Sequence, residues 1–327
     1  MKNNIFVLHA VFFALFLILV LLSFCIGTAN ISVQDVLGAF LGNGGTARNI
    51  VLFVRLPRTI AGAAGGASLA VSGAIIQSVL RNPLGSPNVI GVNSGALFFL
   101  LVSAAFFPEL HAAQPLSAFL GAFLTVLLVC ALGAKTGGSK HAVILAGVVL
   151  NTLFSALCDA VQIFVPDSIF VRSAFRIGSL ALVQTKNLAP AIVCIALAFV
   201  LAALISSSLD VLALGDESAQ SLGINARATR IAALLVSSLL AGASVSFSGM
   251  LSFVGLIVPH LVRTISSSAM KNVLPLSALG GANLVLLCDI VARCAFAPYE
   301  LPVGIFLALL GGVFFLGLLL KGQHAND

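Results

Sequence analysis

Long apolar segments alternate with short polar connections along the whole chain. The breaks between them contain Pro, Gly, Asn and charged residues. A helix needs roughly 20 apolar residues to cross a hydrocarbon layer about 30 Å thick. The pattern therefore predicts an all-α, polytopic integral membrane protein with about ten transmembrane helices. The predicted spans are 5–26, 57–80, 89–107, 113–132, 142–165, 188–206, 228–247, 249–266, 273–296 and 301–320.

The composition leaves little material outside the membrane. Of 327 residues, 60% are hydrophobic and only 8% are charged, which excludes a separate soluble catalytic domain. We therefore interpret residues 1–327 as one transmembrane domain. The run 5–26 is longer than the apolar core of a typical signal peptide, and we interpret it as a retained first span. An even number of spans places both termini on one side, and a slight excess of Lys and Arg there favours the cytoplasm.

The charge does not indicate nucleic-acid binding, and the cysteines do not indicate a metal site. The formal charge is +6, but the basic residues are spread among short loops without a basic tract, so we do not expect nucleic acid to bind. The six cysteines lie in or beside apolar runs, without metal-ligand spacing. We interpret them as small packing residues and predict no metal site.

The sequence offers no pattern for an enzymatic centre. Residues 133–140 (GAKTGGSK) resemble a P-loop but lack the Gly-Lys-Ser/Thr order that cradles phosphates. The five histidines are scattered, and no nucleophile–base–acid arrangement is evident. We expect no cofactor in this chain and no nucleotide site of its own.

The longest hydrophilic internal segment, 206–230, predicts a loop with a short helix at 216–223. Asp216 is suited to cap this helix and Gly223 to end it. One apolar face would carry Leu212, Leu214, Ala219 and Leu222. Periodicity alone leaves two interpretations open: the face lies in lipid headgroups, or it fits a groove on a partner protein.

Two further sets of polar residues lie within predicted spans. Asp289 and Arg293 are one helical turn apart, so that they can form an ion pair within the membrane. Asp159 lies near the outer end of the fifth span, where we favour a helix-end contact over a proton relay. Its neighbours Asn151, Thr152 and Gln162 either line a solute path or bridge helices.

Ordered motifs along the chain resemble the FecCD family of bacterial ABC importer permeases, the class that carries iron complexes and cobalamin. The matching strings are RLPR (55–58), SGAIIQ (72–77), RNPLGSP (81–87), ALGDESA (213–219), FVGLIVPH (253–260), DIVAR (289–293) and ELPVG (300–304). They extend over nearly the whole chain. The resemblance implies the ten-helix, BtuC-like permease fold of that class.

The resemblance also implies partners. These are a second copy of the permease, two cytoplasmic ATPase subunits that hold ATP and Mg²⁺, and an extracytoplasmic solute-binding protein. The chain is then expected in the bacterial cytoplasmic (inner) membrane, among lipid. Arg55, Arg58 and Arg293 correspond to outer-surface arginines that receive acidic residues of the binding protein. A helix that couples to the ATPase is implied by Leu212, Leu214, Gly215, Asp216, Glu217, Ser218, Ala219, Leu222 and Gly223.

The function expected from the resemblance is ATP-driven import by alternating access. The cargo is a ferric siderophore, haem, ferric citrate or cobalamin, which the sequence does not distinguish. One alternative is a secondary transporter driven by an ion gradient, with Asp159 and the Asp289–Arg293 pair as a relay. A second alternative is a membrane receptor or scaffold that transports nothing.

Overall fold

A computed structural model describes residues 2–27, 31–42, 45–110, 112–136, 139–181, 183–296 and 298–323. Met1 and residues 324–327, at the termini expected to face the cytoplasm, lie outside these ranges, as do Gly137 and Gly138 of the P-loop-like segment. Within the described ranges every regular element is a helix. The prediction of an all-α protein is confirmed.

The helices follow one another with short connections. A π-helical segment, Ile50–Arg55, leads directly into α4. The helices are α1 (Lys2–Cys25), α2 (Val33–Phe40), α3 (Thr46–Asn49), α4 (Leu56–Leu80), α5 (Val92–Phe106), α6 (Ala113–Lys135), α7 (Lys140–Phe164), α8 (Ser168–Ile177), α9 (Thr185–Leu204), α10 (Ser206–Leu214), α11 (Asp216–Ser221), α12 (Ala226–Ser248), α13 (Val254–Ile265), α14 (Met270–Cys294) and α15 (Val303–Gln323).

Among the described residues, seven helical stretches are long and apolar enough to span a membrane. They contain α1, α4, α6, α7, α9, α12 and α14. Three shorter apolar helices, Val92–Phe106, Val254–Ile265 and Val303–Leu318, bring the set to ten. Each corresponds to one predicted span, which confirms the expected number of membrane helices.

The predicted span 249–266 begins late in the structure. Gly249 and Phe253 both have positive φ angles, 66° and 65°, so residues 249–253 do not continue the helix, which begins at Val254. Neighbouring backbone satisfies part of this segment: Met250 N–H donates to the Phe175 carbonyl at 2.8 Å. Irregular backbone at membrane depth is tolerated where protein surrounds it in this way.

Helix α4 is the centre of the bundle. Most of its residues are buried, and it packs against α12, α13 and α14. Small residues permit close approach of the backbones: a Cβ at Gly66 would overlap the Gly281 carbonyl, and one at Gly281 would lie 2.6 Å from the Ala70 Cβ. Close packing of this kind replaces the hydrophobic driving force between helices in lipid.

The sequence pattern did not predict α2, α3, α8 or the π-helical segment. Each is ten residues or shorter, below the length at which hydrophobic periodicity distinguishes a helix from a connection. The description of the chain as one domain with an embedded loop at 206–230 stays a prediction.

Candidate functional sites at the two ends of the bundle

Helices α4 and α14 run side by side in opposite directions, and charged residues gather at both ends of the pair. At one end, Arg58 of α4 meets Asp289 of α14. At the other end, Ser78 of α4 lies beside Met270, the first residue of α14. We call the first the arginine end and the second, which contains α11, the α11 end. At 1.5 Å per residue, Met270 and Asp289 are about 28 Å apart along the helix.

Asp289 is the principal carboxylate of the arginine end. The Arg58 Nε atom donates to both of its carboxylate oxygens, at 3.0 and 3.1 Å, and Arg58 Nη2 lies 3.0 Å from Oδ1. Arg58 Nη1 donates to Glu300 at 2.6 Å. Asp289 is only 1% exposed, so these contacts compensate for the cost of removing its charge from water.

Asp289 also pairs with Arg293, as the spacing of the two residues predicted. Arg293 Nε lies 3.3 Å from Asp289 Oδ2. The other guanidinium nitrogens of Arg293 donate to the end of α1: Nη1 to the Ser23 carbonyl at 3.1 Å and Nη2 to the Ser23 hydroxyl at 2.9 Å. Arg55 donates to the neighbouring Phe24 carbonyl. The last carbonyls of a helix have no partner within it and favour cations, so α1 supplies the acceptors here.

The expectation that these arginines lie on the surface is wrong. Arg55, Arg58 and Arg293 are 4%, 6% and 3% exposed. Carboxylates and the last carbonyls of α1 draw the guanidinium groups inward. Glu300 is the accessible member of the cluster, with 31% of its side chain exposed. Sequence reasoning assigned Glu300 no partner, because it lies 242 residues from Arg58. Whether the arginines receive a binding protein stays a prediction.

At the α11 end, a second arginine–carboxylate pair holds the short helix α11. Arg230 Nη2 of α12 donates to both oxygens of Asp216, at 2.8 and 2.9 Å. The Arg230 side chain is 5% exposed and that of Asp216 is 42% exposed. One face of the ion pair therefore remains in contact with solvent.

The predicted short helix exists at α11, but two details differ. Gly215 occupies the N-cap position, so Asp216 is the first helical residue and its carboxylate binds Arg230 instead of capping. The four apolar residues do not share a face: Leu212 and Ala219 are buried, whereas Leu214 and Leu222 are 68% and 63% exposed. The physical reason is the break at Gly215, with φ of 128°, which reorients α11 relative to α10.

The neighbouring helix α10 is tied to α14 by a contact that sequence reasoning missed. Asp210 Oδ1 accepts a hydrogen bond of 2.8 Å from the Met270 backbone N–H. Arg263 of α13 donates to the Ser78 hydroxyl at 3.0 Å and to the Ala74 carbonyl at 3.1 Å. Four helices, α4, α10, α13 and α14, therefore meet around Met270.

The polar residues predicted for a solute path lie on α7 but do not form one cluster. Asn151 donates to the Asn88 carbonyl at 2.8 Å and accepts from Ser94 at 2.6 Å. Thr152 bonds only back to its own helix among the contacts that the structure gives. The Asn151 contacts tie α7 to α5 and to the connection before it, whereas the Thr152 contact stays within α7. Their role in a path stays a prediction.

Asp159 and Gln162 both bind Arg172 of α8. The Arg172 Nη1 atom lies 2.6 Å from Asp159 Oδ1 and also donates to Gln162. The favoured interpretation of Asp159, a contact at the end of its helix, agrees with this geometry. Arg172 was missed because sequence reasoning treated residues 166–187 as a connection. The amphipathic pattern of SIFVRSAFRI (168–177) was the available signal.

No metal centre is evident in the described part of the chain, where no group of three His, Cys, Asp or Glu side chains is placed to bind an ion. The cysteines are free, and Cys130, Cys158 and Cys288 are buried, consistent with packing residues. The expected absence of a cofactor stays a prediction.

The ten apolar helices in the described part of the chain, with charged clusters at both ends, define a multi-pass membrane protein. The model of the FecCD transport family matches residues 15–321. The chain belongs to the FecCD transport family.

Curated relatives match over nearly the whole chain. The Fe(3+)-citrate import system permease protein YfmD of Bacillus subtilis is 37% identical, covering 93% of this chain and 91% of YfmD. The hemin transport system permease protein HmuU of Yersinia pestis is 36% identical, and the match covers 95% of this chain and 96% of HmuU. A solved structure of an inward-facing metal-chelate type ABC transporter covers 98% of this chain and 100% of its own, with a TM-score of 0.85 and 30% identity. The chain is a permease subunit of the ABC importer class.

Proposed function

We propose that this chain forms the membrane path of an ATP-driven importer for an iron complex, such as ferric citrate, haem or a ferric siderophore. Two similar permeases act on Fe(3+)-citrate and hemin, as their names state, and this likeness supports the class of cargo. Cobalamin is the alternative cargo. Two copies of the chain enclose the path in this proposal, and a separate ATPase binds ATP and Mg²⁺.

The arrangement of α10 and α11 is the observation that carries the proposal of a partner ATPase. Leu212 and Ala219 anchor the element inside the permease, while Leu214 and Leu222 face outward. Glu217, Ser218 and Gly223 are exposed beside them. A short helix that is fixed on one side and presents apolar and polar side chains on the other suits a groove on a partner protein.

The energy requirement also supports an external source of power. Shifting a two-state gate from 1:99 to 99:1 needs roughly 5.5 kcal/mol of differential binding, whereas an allosteric ligand typically supplies about 1 to 3 kcal/mol. ATP binding closes the partner ATPase against α11, and this closure moves the permease between outward-facing and inward-facing states.

The arginine end faces the outside of the inner membrane in this proposal, and both termini face the cytoplasm. Three arginines meet two carboxylates there, which leaves a formal excess of one positive charge. This charge favours an acidic solute-binding protein. Docking begins at Glu300, the accessible partner of the buried Arg58, where an acidic side chain of the binding protein exchanges with Glu300 and makes a bidentate contact with arginine.

The test is reconstitution of the permease in liposomes with its ATPase and binding protein. Leu214→Asp combined with Leu222→Asp is expected to abolish ATPase association and uptake of the ferric complex. Leu110→Asp, which alters a leucine that is 56% exposed on the connection between α5 and α6, is the matched control and is expected to retain both. Uptake that needs only an ion gradient and persists without ATP would instead establish the secondary transporter. No flux under either energy source would establish a receptor or scaffold.

A further inference from the structure

We propose that Asp210 is a positioning residue that connects ATP-driven movement at α11 to the arginine end through α14. This inference rests on the proposed function. Its basis is one hydrogen bond between two helices, in which Asp210 Oδ1 of α10 accepts from the Met270 N–H of α14 at 2.8 Å.

Asp210 supplies a cap that α14 lacks in its own sequence. Ala269 occupies the N-cap position, and its methyl side chain cannot accept a hydrogen bond from the helix. The first N–H groups of a helix have no partner within the helix, and a carboxylate at that end is favoured by the helix dipole. Because the cap comes from α10, the start of α14 is attached to the element that presents α11.

Helix α10 is itself firmly placed. Leu209 and Leu212, on either side of Asp210, are fully buried, and α10 packs against α4, α12 and α14. The Asp210 carboxylate also interacts electrostatically with Arg263 of α13. A displacement of α10 and α11 is therefore transmitted to the end of α14 through a short, directional contact.

Helix α14 then carries the displacement across the membrane together with α4. A Cβ at Gly66 of α4 would overlap the Gly281 carbonyl of α14, so the two backbones touch at mid-length. At the α11 end, the Ser78 hydroxyl of α4 lies 3.3 Å from the Met270 sulfur. At the arginine end, Arg58 of α4 binds Asp289 of α14. Contacts at both ends and at the centre make the two helices one rigid body.

The arginine end of the α4–α14 pair contains the cluster proposed to receive the binding protein. Asp289 and Arg293 lie on α14 itself, and Cys294, which is exposed, follows Arg293 directly. A state change at the ATPase therefore alters the position of the docking cluster, and docking outside alters the position of α11 inside.

The first experiment uses the complete importer in liposomes and measures cargo moved per ATP hydrolysed. Asp210→Ala is expected to lower this ratio about fivefold, and to lower the stimulation of ATPase activity by the binding protein by a similar factor. Fivefold is about the change in an equilibrium constant that the loss of a typical helix cap produces. ATPase association and basal ATP hydrolysis are expected to persist. Asp210→Asn, which keeps an acceptor oxygen, is expected to restore both readouts.

Ser139→Ala is the matched control. The Ser139 hydroxyl caps α7 at the same end of the bundle, accepting from Ala142 N–H at 3.2 Å, but it caps only its own helix. The inference is overturned if Asp210→Ala changes the ratio no more than Ser139→Ala does.

A second pair of variants removes the donor instead of the acceptor. Met270 is the first residue of α14, where proline fits a helix, and Ala269 has the extended backbone that a following proline requires (ψ of 128°). Met270→Pro deletes the N–H, while Met270→Ala keeps it and removes a similar amount of side chain. Only the proline variant is expected to lose coupling, and equal coupling in the two overturns the inference.

A spin label on Cys294 gives a readout that is independent of uptake, in a protein with Cys25 and Cys194 replaced by alanine. Trapping the ATPase with nucleotide is expected to change the label's spectrum in this background but not after Asp210→Ala. The inference is overturned if nucleotide trapping leaves the spectrum unchanged in the protein with Asp210, or if it produces the same change in the Asp210→Ala variant.

If the unmodified chain neither associates with an ATPase nor imports cargo, the proposed function fails as well. If it does both while Asp210→Ala is silent, the inference alone fails.

Discussion

The two ends of the α4–α14 pair use the same chemistry at different degrees of burial. At the arginine end, Asp289 is 1% exposed and binds two arginines from two helices. At the α11 end, Arg230 is buried, but its partner Asp216 is 42% exposed on a helix of six residues. Because its carboxylate already contacts solvent, the second cluster is expected to separate at a lower cost than the first.

Burial explains this difference. Breaking a buried ion pair leaves an unpaired charge away from water, and the loss is large. A carboxylate that already contacts water loses little when its partner moves away. The permease therefore has a fixed joint between spans at one end and an adjustable one at the end where a partner ATPase is proposed to act.

The largest effect is expected from Asp289→Ala. It leaves Arg58 and Arg293 without their shared carboxylate, and we expect a loss of about 3–5 kcal/mol of stability, as for other broken buried pairs. Thermal unfolding in detergent and the yield of folded protein are the measurements. Asp289→Asn, which keeps one of the two acceptor oxygens but loses the charge, is expected to fall in between. An alanine variant as stable as the unmodified chain would show that the arginine end is not a fixed joint.

A smaller loss is expected where the two helices touch. Gly66→Val forces a side chain into the Gly281 carbonyl, and overpacking of this kind typically costs about 1–3 kcal/mol. Gly312→Val is the matched control, because among the described residues a Cβ at Gly312 would meet no atom within 4 Å outside its own stretch of helix. Thermal unfolding of both variants provides the comparison. Equal stability would mean that α4 and α14 separate without cost and do not move as one body.

The sequence was sufficient to predict the spans, because a membrane-spanning helix requires a long apolar run, which is visible in the order of apolar and polar residues. It also predicted the contact between Asp289 and Arg293, which are four residues apart. This contact follows from helical geometry, which fixes which residues share a face.

Contacts between distant segments were not predictable in the same way. Arg58 and Glu300 are 242 residues apart, and Asp210 and Met270 are 60 apart. Nothing in local periodicity states which helices are neighbours. The burial of Arg55, Arg58 and Arg293 was missed for this reason, since it depends on carboxylates and carbonyls that other helices supply.

A weaker effect on stability is expected at the adjustable joint. Asp216→Ala removes a pair whose carboxylate is 42% exposed but whose guanidinium is buried, so we expect a loss of about 1 kcal/mol, the upper end of the range for exposed pairs. The expected result is faster backbone hydrogen exchange in 216–223, with a small loss of thermal stability. Asp216→Glu is expected to preserve slow exchange, and Glu217→Ala, a change to the exposed carboxylate beside it, is the control. Unchanged exchange in Asp216→Ala would mean that Arg230 does not hold α11.

The smallest effect is expected from Asp159→Ala. Asp159 is 62% exposed and Arg172 keeps its contact with Gln162, so we expect a change in stability below about 0.5 kcal/mol. ATP-driven uptake in liposomes is expected to remain within about twofold, because an exposed helix-end contact holds no gate closed. The same variant distinguishes the two energy sources. A proton relay through Asp159 requires its carboxylate, so loss of gradient-driven uptake with stability intact would place Asp159 in a transport path and favour the secondary transporter over the ATP-driven importer.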